Sequence, residues 1–454
     1  MFHAIIRSMF ALLSTLCYHA SKSVVEIFLK GGLRSNISPV SVKDVSMVNK
    51  DRLFGRLQEL SKFGRQVLGG ITRLAFTEED REARNLIHTY MEDAGLSVRE
   101  DAVGNLIGRK EGLTPSASIV MTGSHVDSVF SGGTFDGNLG VLGSIEALKA
   151  MQEAGITTEH PIEVCVFRDE EGVRFSFSMI GSKGCAGILR PEDLENKDRA
   201  GISLAEAMKA NGLDPAKSWQ AQRTKNSIKA YVELHIEQGA VLEHENLSVG
   251  VVSAITGISW TKIVLRGKAG HAGSTPMYLR HDALAAAAQI ISMVEVEATK
   301  TGTSVGTVGR LDVSPGGINI IPGVVELTVD VRDARKTVCD ALEEHIVRNA
   351  KNICQKREVT LEVKSLQHML PVACSEEIQN AIKAACKNLG LPIFSLPSGA
   401  THDGMNLSEL CPIGMIFVRS KNGISHNPAE WTSPEDCMDG ANVLYHTLLD
   451  LAGA

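Results

Sequence analysis

The fold is decided by residues 118–167, in which the segments SIVMTG (118–123), GVLGSIEALKAM (140–151) and IEVCVF (162–167) follow one another. The two short apolar runs are typical of buried strands, and the segment between them has the periodicity of a helix. A strand, a helix and a strand in succession predict a βαβ unit within a mostly parallel sheet. In such sheets the functional side chains lie at the carboxyl ends of the strands.

Similar patterns flank this unit on both sides. Helical periodicity covers residues 48–68 and 78–95, and the second of these segments follows Thr77, a residue type that caps helix N-termini. Near the C-terminus the sequence predicts a helix, a strand and a final helix, at residues 376–389, 413–418 and 434–451. These elements extend the α/β arrangement to the end of the chain.

The pattern changes over residues 253–368. Alternating apolar residues in SWTKIVLR (259–266) and VVELTVDV (324–331) predict half-buried strands. Two helices and a further strand are also predicted, at residues 282–298, 336–350 and 359–363. The predicted fold class is therefore α/β: a mostly parallel-sheet domain is interrupted by a smaller α+β domain with an antiparallel sheet and two helices. The predicted boundaries are 47–252 and 369–454 for the larger domain, and 253–368 for the smaller one.

The composition excludes several classes of protein. The chain has 454 residues, of which 22% are charged, and a net charge of −7, which argues against a nucleic-acid partner held by phosphate contacts. No apolar run approaches the roughly 20 residues of a membrane-spanning helix, so no membrane partner is predicted. The nine Cys include no C-x-x-C pair, which favours buried free thiols in a reducing cytoplasm.

Residues 1–46 are treated as an extension outside the predicted domains. Arg7 precedes the short apolar run MFALLSTLC (9–17), as in a signal or transit peptide, but no small-residue cleavage site follows. Met47 lies directly before the first predicted helix, so an alternative start of the chain also explains the extension. We predict a cytoplasmic protein, with an N-terminal targeting segment as the alternative.

Chemically active side chains follow the predicted strands. His125 and Asp127 come directly after the strand at 118–123. We expect the Asp127 carboxylate to accept the second ring N–H of His125, which would orient the imidazole for metal binding. Asp136 lies in the glycine-rich turn GGTFDG (132–137), where a carboxylate can bridge two cations.

Two adjacent carboxylates, Glu170 and Glu171, directly follow the strand IEVCVF (162–167). One of them can bind a metal ion while the other acts as a general base. Two further imidazoles belong to His235 in ELHIEQG and to His426 in GISHNP, which comes just past a predicted strand. This mixture of imidazole and carboxylate suits Zn²⁺ or Mn²⁺.

From residue 47 to the end, the sequence resembles the dinuclear-metal hydrolase superfamily of aminoacylases and glutamate carboxypeptidases. Within it, the chain looks most similar to N-carbamoyl-L-amino-acid hydrolases and allantoate amidohydrolases. The resemblance implies a hydrolase that acts on carbon–nitrogen bonds other than peptide bonds. It is carried by the motifs GSHVDSV (123–129), GGTFDG (132–137), DEEG (169–172), ELHIEQG (233–239), GHAGSTPM (270–277), GGINIIP (316–322), LPSGATHD (396–403) and GISHNPAEW (423–431).

The resemblance also implies two divalent metal ions per subunit: Zn²⁺, or Mn²⁺, Co²⁺ or Ni²⁺. Their ligands would form two sets that share a bridging carboxylate: His125, Asp136 and His235 in one, and Asp136, Glu171 and His426 in the other. Glu170 would be the general base, which deprotonates the attacking water and later protonates the leaving nitrogen. Peptidase relatives have a carboxylate in place of His235, so the imidazole indicates the branch that hydrolyses ureido groups.

By the same resemblance, residues 253–368 would form a lid and dimerisation domain. Its His271 would act catalytically, by polarising the scissile carbonyl in the active site of the partner subunit of a homodimer. The other implied substrate-binding residues would hold the carboxylate of a small ureido acid or line its pocket: Asn319 and Arg332, and Gln238, Gly399, Thr401 and His402.

The leading hypothesis is hydrolysis of an N-carbamoyl-L-amino acid to the amino acid, carbon dioxide and ammonia. Allantoate is the nearest alternative substrate, but we would expect a more basic, polar stretch for it than GISW (257–260), so an apolar side chain is favoured. An aminoacylase or dipeptidase is disfavoured by His235. A catalytically inactive metal-binding or scaffold protein is disfavoured because every implied ligand and Glu170 are in place.

Overall fold

The computed structural model describes residues 48–454. The predictions made for residues 1–46, including the targeting segment and Cys17, lie outside the described residues. Residues 48–454 form one compact unit, and the sheets and helices given below all belong to it.

The described strands form three sheets. In chain order the strands are β1 (Ser97–Glu100), β2 (Leu106–Lys110), β3 (Ile119–His125), β4 (Ile162–Phe167), β5 (Ile228–Ile236), β6 (Val249–Ile255), β7 (Gly257–Arg266), β8 (Gly270–His271), β9 (Val305–Ser314), β10 (Ile320–Ile321), β11 (Val324–Asp333), β12 (Thr360–Met369), β13 (Val372–Ala373), β14 (Ser395–Ser398) and β15 (Ile413–Val418).

The described helices alternate with the central strands and flank the sheets. In chain order they are α1 (Lys50–Leu60), α2 (Glu78–Asp93), α3 (Asn138–Glu153), α4 (Ile180–Ala186), α5 (Leu204–Ala210), α6 (Val241–His244), α7 (Ala283–Thr301), α8 (Lys336–Lys356), α9 (Glu376–Asn388), α10 (Gly404–Leu407) and α11 (Pro434–Ala452).

The largest sheet has nine strands, and its centre is parallel. Its order is β1-β2-β4-β3-β5-β15-β6-β13, with β14 paired to β6. The neighbours β4, β3, β5 and β15 run parallel, whereas β1, β2 and β13 pair antiparallel at the margins. The strands β3, β4 and β15 are buried along their whole length, as expected for a parallel sheet covered on both faces.

Successive side chains of the central strands enter different cores. Val164 and Val166 of β4 pack in a hydrophobic cluster with residues of α2, α3, α9 and α11. Cys165 and Phe167 pack on the opposite face, in a cluster that includes Met405. Burial on both faces holds the strand in a single register, because a slip by one residue would exchange the two sets of side chains.

The second sheet has four antiparallel strands in the order β12-β7-β11-β9. Along β11 the residues alternate, and Val325, Leu327, Val329 and Val331 are buried. These four residues share a hydrophobic cluster with the helices α7 and α8, which therefore cover one face of the sheet. The short strands β8 and β10 pair separately as a two-stranded ribbon.

The predicted fold class is confirmed, with a central parallel sheet and a separate antiparallel sheet covered by two helices. The chain leaves the large sheet after Ile255 and pairs with it again at Val372. Residues 253–255 therefore belong to the large sheet rather than to the smaller predicted domain, which is called the insert from here on. The division into two domains stays a prediction, because residues 48–454 form one compact unit.

Some element predictions are wrong in extent. The helix predicted at 48–68 ends at Leu60, and the chain then turns through Gly64, Gly69 and Gly70, which all have positive φ. The sequence patterns do not predict β5, β6 or β9. Most residues of β9 are exposed, and its apolar residues do not alternate regularly, because its pairing with β11 shifts register between Thr328 and Val329 and leaves Gly309 without a partner.

Two further predictions concern membrane-spanning helices and the thiols. None of the described helices has the length and apolar character needed to cross a bilayer. The eight cysteines within residues 48–454 are buried and unpaired, as predicted for free thiols.

Candidate metal centre

The predicted metal ligands lie at one edge of the large sheet. His125 is the last residue of β3, Glu170 and Glu171 follow β4, and His235 is the last but one residue of β5. His426 lies in the loop after β15. Because β4, β3, β5 and β15 are adjacent parallel strands, their carboxyl ends bring these side chains together.

Asp136 is the side chain on which the imidazoles converge. Its Oδ1 lies 3.2 Å from Nε2 of His235 and 3.7 Å from Nε2 of His125. Its Oδ2 lies 3.1 Å from Nε2 of His426. One oxygen of a single buried carboxylate therefore faces two imidazoles, and the other oxygen faces a third.

Two groups of potential ligands share Asp136. In each group, one ligand atom per residue lies within 4.8 Å of the others: His125, Asp136 and His235 in one, and Asp136, Glu171 and His426 in the other. A third group with this spacing contains Glu233, His235 and His402. Glu233, however, already accepts hydrogen bonds from Ser124 and Tyr231, at 2.7 and 2.9 Å.

The ring hydrogen bonds of two imidazoles leave their Nε2 atoms available. Nδ1 of His125 lies 3.0 Å from the carbonyl oxygen of Asp127, and Nδ1 of His235 lies 2.9 Å from that of Ile236. A carbonyl oxygen only accepts, so Nδ1 carries a proton, and Nε2 presents a lone pair whenever the ring is neutral. Lone pairs directed at the same carboxylate fit the implied metal ions.

Negative charge accumulates around this centre. Burial and the charge of Asp136 raise the pKa of Glu171 to about 8. Burial and the charges of Glu171 and Asp403 raise the pKa of Glu170 well above its usual value. The hydrogen bond with Asp136 raises the pKa of His426 to about 9.

No Lys or Arg within residues 48–454 forms an ion pair with Asp136, Glu170 or Glu171, whose ion-pair partners are all imidazoles. Protons on the imidazoles and carboxyls therefore compensate the negative charge. Divalent cations would neutralise the same charge and release those protons. Both the charges and the geometry of the site therefore fit the implied metal ions.

The predicted hydrogen bond from the His125 ring to the Asp127 carboxylate is wrong. The ring N–H is donated to the backbone carbonyl of Asp127, and the Asp127 carboxylate is 3.8 Å from Nδ1. The carboxylate instead accepts the backbone N–H groups of Glu170 and Glu171, at 3.2 and 3.1 Å. The turn after β3 places the Asp127 carbonyl closer to the His125 ring than the Asp127 carboxylate. The carboxylate can therefore bind the backbone of the two glutamates instead.

The Asp136 turn depends on Glu430, which the sequence analysis does not identify. Oε1 of Glu430 accepts the backbone N–H groups of Phe135 and Asp136, at 2.8 and 3.1 Å. Its Oε2 accepts the hydroxyl of Ser425, at 2.8 Å. The one signal in the sequence is that Glu430 lies in the motif GISHNPAEW.

Arg73 is a second supporting residue that the sequence analysis misses. Its side chain is completely buried. Nε donates to the carbonyl of Val126 at 2.6 Å, and Nη2 donates to the side chain of Asn138 at 2.7 Å. Arg73 therefore holds both ends of the loop between His125 and α3, and a single arginine far from every motif gives no sequence signal for this role.

The centre opens into a cavity of about 630 Å³. Four of the predicted substrate-binding residues line it: Gln238, Arg332, Thr401 and His402. Nη1 of Arg332 donates to the carbonyl of Gly399 at 2.7 Å, which connects the insert to the turn that contains Thr401. Nε2 of Gln238 lies 2.9 Å from Oδ2 of Asp136.

His271 and Asn319 do not line this cavity. Both are exposed on the ribbon of β8 and β10, where His271 pairs with Ile320. Nδ1 of His271 accepts the backbone N–H groups of Gly273 and Ser274, each at 3.1 Å. The proton of the neutral ring is therefore on Nε2, which can act as a hydrogen-bond donor.

Comparisons with known proteins identify the family of this chain. The Peptidase family M20/M25/M40 matches residues 109–450. The N-carbamoyl-L-amino acid amidohydrolase of Geobacillus stearothermophilus is 56% identical over 406 residues, which cover 89% of this chain and 99% of that protein. Allantoate deiminase 2 of Glycine max is 35% identical over 419 residues, which cover 85% of this chain and 86% of that protein.

A solved structure has the same fold. It is an amidase of the hydantoinase/carbamoylase family from Burkholderia multivorans, with a TM-score of 0.85 and 36% identity over 90% of this chain and 98% of that chain. Fold and site together define a metal-dependent α/β hydrolase. The chain belongs to the Peptidase family M20/M25/M40. The resemblance stated from the motifs is thereby confirmed, while the roles of individual residues stay predictions.

Gly137 gives a test of the geometry around Asp136. It has a φ of +63°, and a Cβ there would lie 2.5 Å from the ring of the buried His125. We expect Gly137→Ala to displace this imidazole and to lower metal content and turnover, in addition to a backbone strain of roughly 1–3 kcal/mol. Metal analysis and activity assays of the purified variant measure both effects.

Gly155 is the matched control. It has a φ of +65° and no atom within 4 Å of an added Cβ. Gly155→Ala should therefore also strain the backbone but bind metal normally. Equal metal content in both variants would contradict the proposed position of His125 in the centre.

Proposed function

We propose that this protein hydrolyses the ureido group of N-carbamoyl-L-amino acids, which gives the amino acid, carbon dioxide and ammonia. The observation that carries the proposal is the pair of imidazole–carboxylate groups that share Asp136, with Glu170 beside them and assigned to neither group. Membership of the family and a relative named as an N-carbamoyl-L-amino acid amidohydrolase support this choice of substrate.

Two divalent metal ions would be held at this centre. The residues that would hold them are His125, Asp136 and His235 for one ion, and Asp136, Glu171 and His426 for the other. When bound, the ions would polarise the ureido carbonyl and lower the pKa of water. Zn²⁺ and Mn²⁺ suit this mixture of donors, and Co²⁺ or Ni²⁺ are the other candidates.

Glu170 is the proposed general base. Its carboxylate lies 3.8 Å from Nε2 of His125, and its backbone N–H is held by Asp127. It would take a proton from the attacking water and transfer that proton to the nitrogen that leaves. The raised pKa of Glu170, caused by burial and the neighbouring carboxylates, favours this return of the proton.

Arg332 is the proposed partner of the substrate carboxylate. Nε and Nη2 of Arg332 bind the Asp330 carboxylate at 2.9 to 3.2 Å, and Nη1 binds the Gly399 carbonyl. The remaining N–H groups are available to a ligand in the cavity, which Arg332 lines. A guanidinium suits a carboxylate through parallel hydrogen bonds, and a substrate bridging insert and metal centre would draw the lid closed.

His271 and Asn319 are proposed to act in the active site of a second subunit. Both are exposed and lie outside the cavity of their own chain. The Nε2–H of His271 would donate to the oxygen of the scissile carbonyl as charge develops there. This role requires a homodimer in which residues 253–368 form the lid and the subunit contact.

The cavity favours an apolar substrate side chain. Ile258, Trp260, Phe177, Met179 and Met369 contribute apolar groups to its lining. Allantoate is the second candidate substrate, since the amide of Gln367 also lines the cavity and could bind a second ureido group. A relative named allantoate deiminase 2 supports keeping this alternative.

One assay tests the function directly. Ammonia release is measured from N-carbamoyl-L-amino acids with apolar, polar and charged side chains, and from allantoate, after metal-free protein is supplied with Zn²⁺, Mn²⁺ or Co²⁺. We expect turnover with apolar N-carbamoyl-L-amino acids and its loss after chelation. Full activity of verified metal-free protein, or turnover of allantoate alone, would contradict the proposal.

The adjacent glutamates should respond differently to substitution. Glu170→Gln should retain both metal ions but reduce kcat by roughly 10²–10⁴-fold, because it removes proton transfer rather than a ligand. Glu171→Gln should instead reduce the content of one metal ion. The two variants control for one another, and the opposite pattern in metal analysis would exchange the two roles.

Mixing of two inactive variants tests the role of His271. His271→Ala and Glu170→Gln homodimers should both be nearly inactive. After subunit exchange at equal input, about half of the dimers would be mixed, and each would contain one intact site in a symmetric assembly. We therefore expect activity to recover to roughly a quarter of the wild-type value. No recovery after demonstrated exchange would show that His271 does not act across subunits.

A further inference from the structure

A second cavity, of about 400 Å³, lies beside α2 and the edge strand β1. It shares no lining residue with the cavity of the metal centre. Its charged and titratable lining is mostly basic: Arg81, Arg84, His88, Arg99, Arg168 and Glu100. The lining therefore contains four arginines and one acidic residue.

Two of these arginines are buried. Arg84 is 5% exposed and Arg168 is 4% exposed. Arg168 pairs with the buried Asp80 and donates to Glu100 at 3.2 Å. Arg84 donates to the carbonyl of Gly104 and lies 3.8 Å from Glu100. The fold thus holds two guanidinium groups side by side, with Glu100 as the carboxylate that they share.

The positive charge of this cavity is not fully compensated by the protein. Asp80 and Glu100 balance the two buried arginines, and Glu78 pairs with Arg81. Arg99 forms no ion pair with any residue in the part of the chain that the structure describes, so one guanidinium group of the lining is left without a carboxylate partner. Burial, followed by the charge of Arg168, lowers the pKa of Arg84 to about 10. An added anion would therefore be stabilised here.

We propose that this cavity is a binding site for a small anion with at least two negative charges, such as a dicarboxylate or another divalent oxyanion. Guanidinium groups bind the oxygens of such anions through paired hydrogen bonds. Arg84 and Arg168 provide a rigid floor, while Arg81 and Arg99 lie at the more exposed rim. Asn85 and Asn211 add side-chain amide groups to the wall.

The position of the site connects it to the metal centre through the chain itself. Arg168 directly follows β4 and is followed by Asp169 and the proposed base Glu170. The backbone N–H of Arg168 is also held, by the side chain of Asn105 at 3.0 Å. The proposed anion therefore binds next to the turn that carries the two adjacent glutamates, but outside the substrate cavity.

The test uses the metal-loaded protein with sulfate and succinate as probes. Each is titrated by calorimetry at constant ionic strength, since sulfate also stabilises proteins nonspecifically at high concentration. The variant Arg81→Gln/Arg99→Gln removes only rim charges. The control Arg348→Gln/Lys351→Gln removes the same net charge from exposed positions of α8.

We expect millimolar binding by the wild type and by the control, and at least tenfold weaker binding by the rim variant. An unchanged unfolding midpoint without ligand would show that the rim variant is folded. Equal binding by all three proteins would overturn the proposal. So would binding that persists in the rim variant and is lost in Arg332→Gln, because the anion would then occupy the substrate cavity.

Discussion

The convergence of three imidazoles on the buried carboxylate of Asp136 is the contact on which the rest of the site depends. The Asp136 carboxylate keeps this position only if the backbone of its turn is fixed. Glu430 fixes that backbone by accepting the N–H groups of Phe135 and Asp136. The turn must also leave room for the His125 ring, which excludes any Cβ at residue 137. The large sheet supplies the imidazoles from adjacent strand ends, so the parallel order of those strands is a condition of the site.

The site is surrounded by backbone that is costly to maintain. Asp169, Gln238 and His426 have φ values between 53° and 57°, in the left-handed region. Such non-glycine residues cost about 1–3 kcal/mol each and persist where neighbouring contacts over-determine them. Gln238, for example, donates its backbone N–H to Ser420 and its side-chain amide to Asp136. Local strain is therefore compensated by the network that orients the ligands.

The small sheet of the insert contributes one of its faces to the cavity of the metal centre. Along β11 the buried residues face α7 and α8, so Arg332 and the cross-strand neighbours of β7 lie on the opposite face. Ile258 and Trp260 of β7 line the same cavity as the metal ligands. The two sheets thus contribute different groups to the cavity: the large sheet provides the carboxylates and imidazoles, and the small sheet provides a guanidinium and apolar side chains.

The sequence alone determined the elements with strong local patterns and the residues at their ends. The βαβ unit, both adjacent glutamates and the imidazole motifs follow from runs of a few residues, because burial on both faces demands continuous apolar strands. Only the tertiary structure decided which atoms meet. Asp127 binds backbone N–H groups instead of His125, Glu430 reaches Asp136 across nearly 300 residues, and Arg73 fills a buried position without any motif. These contacts depend on how distant segments pack, and sequence periodicity contains no information about such distances.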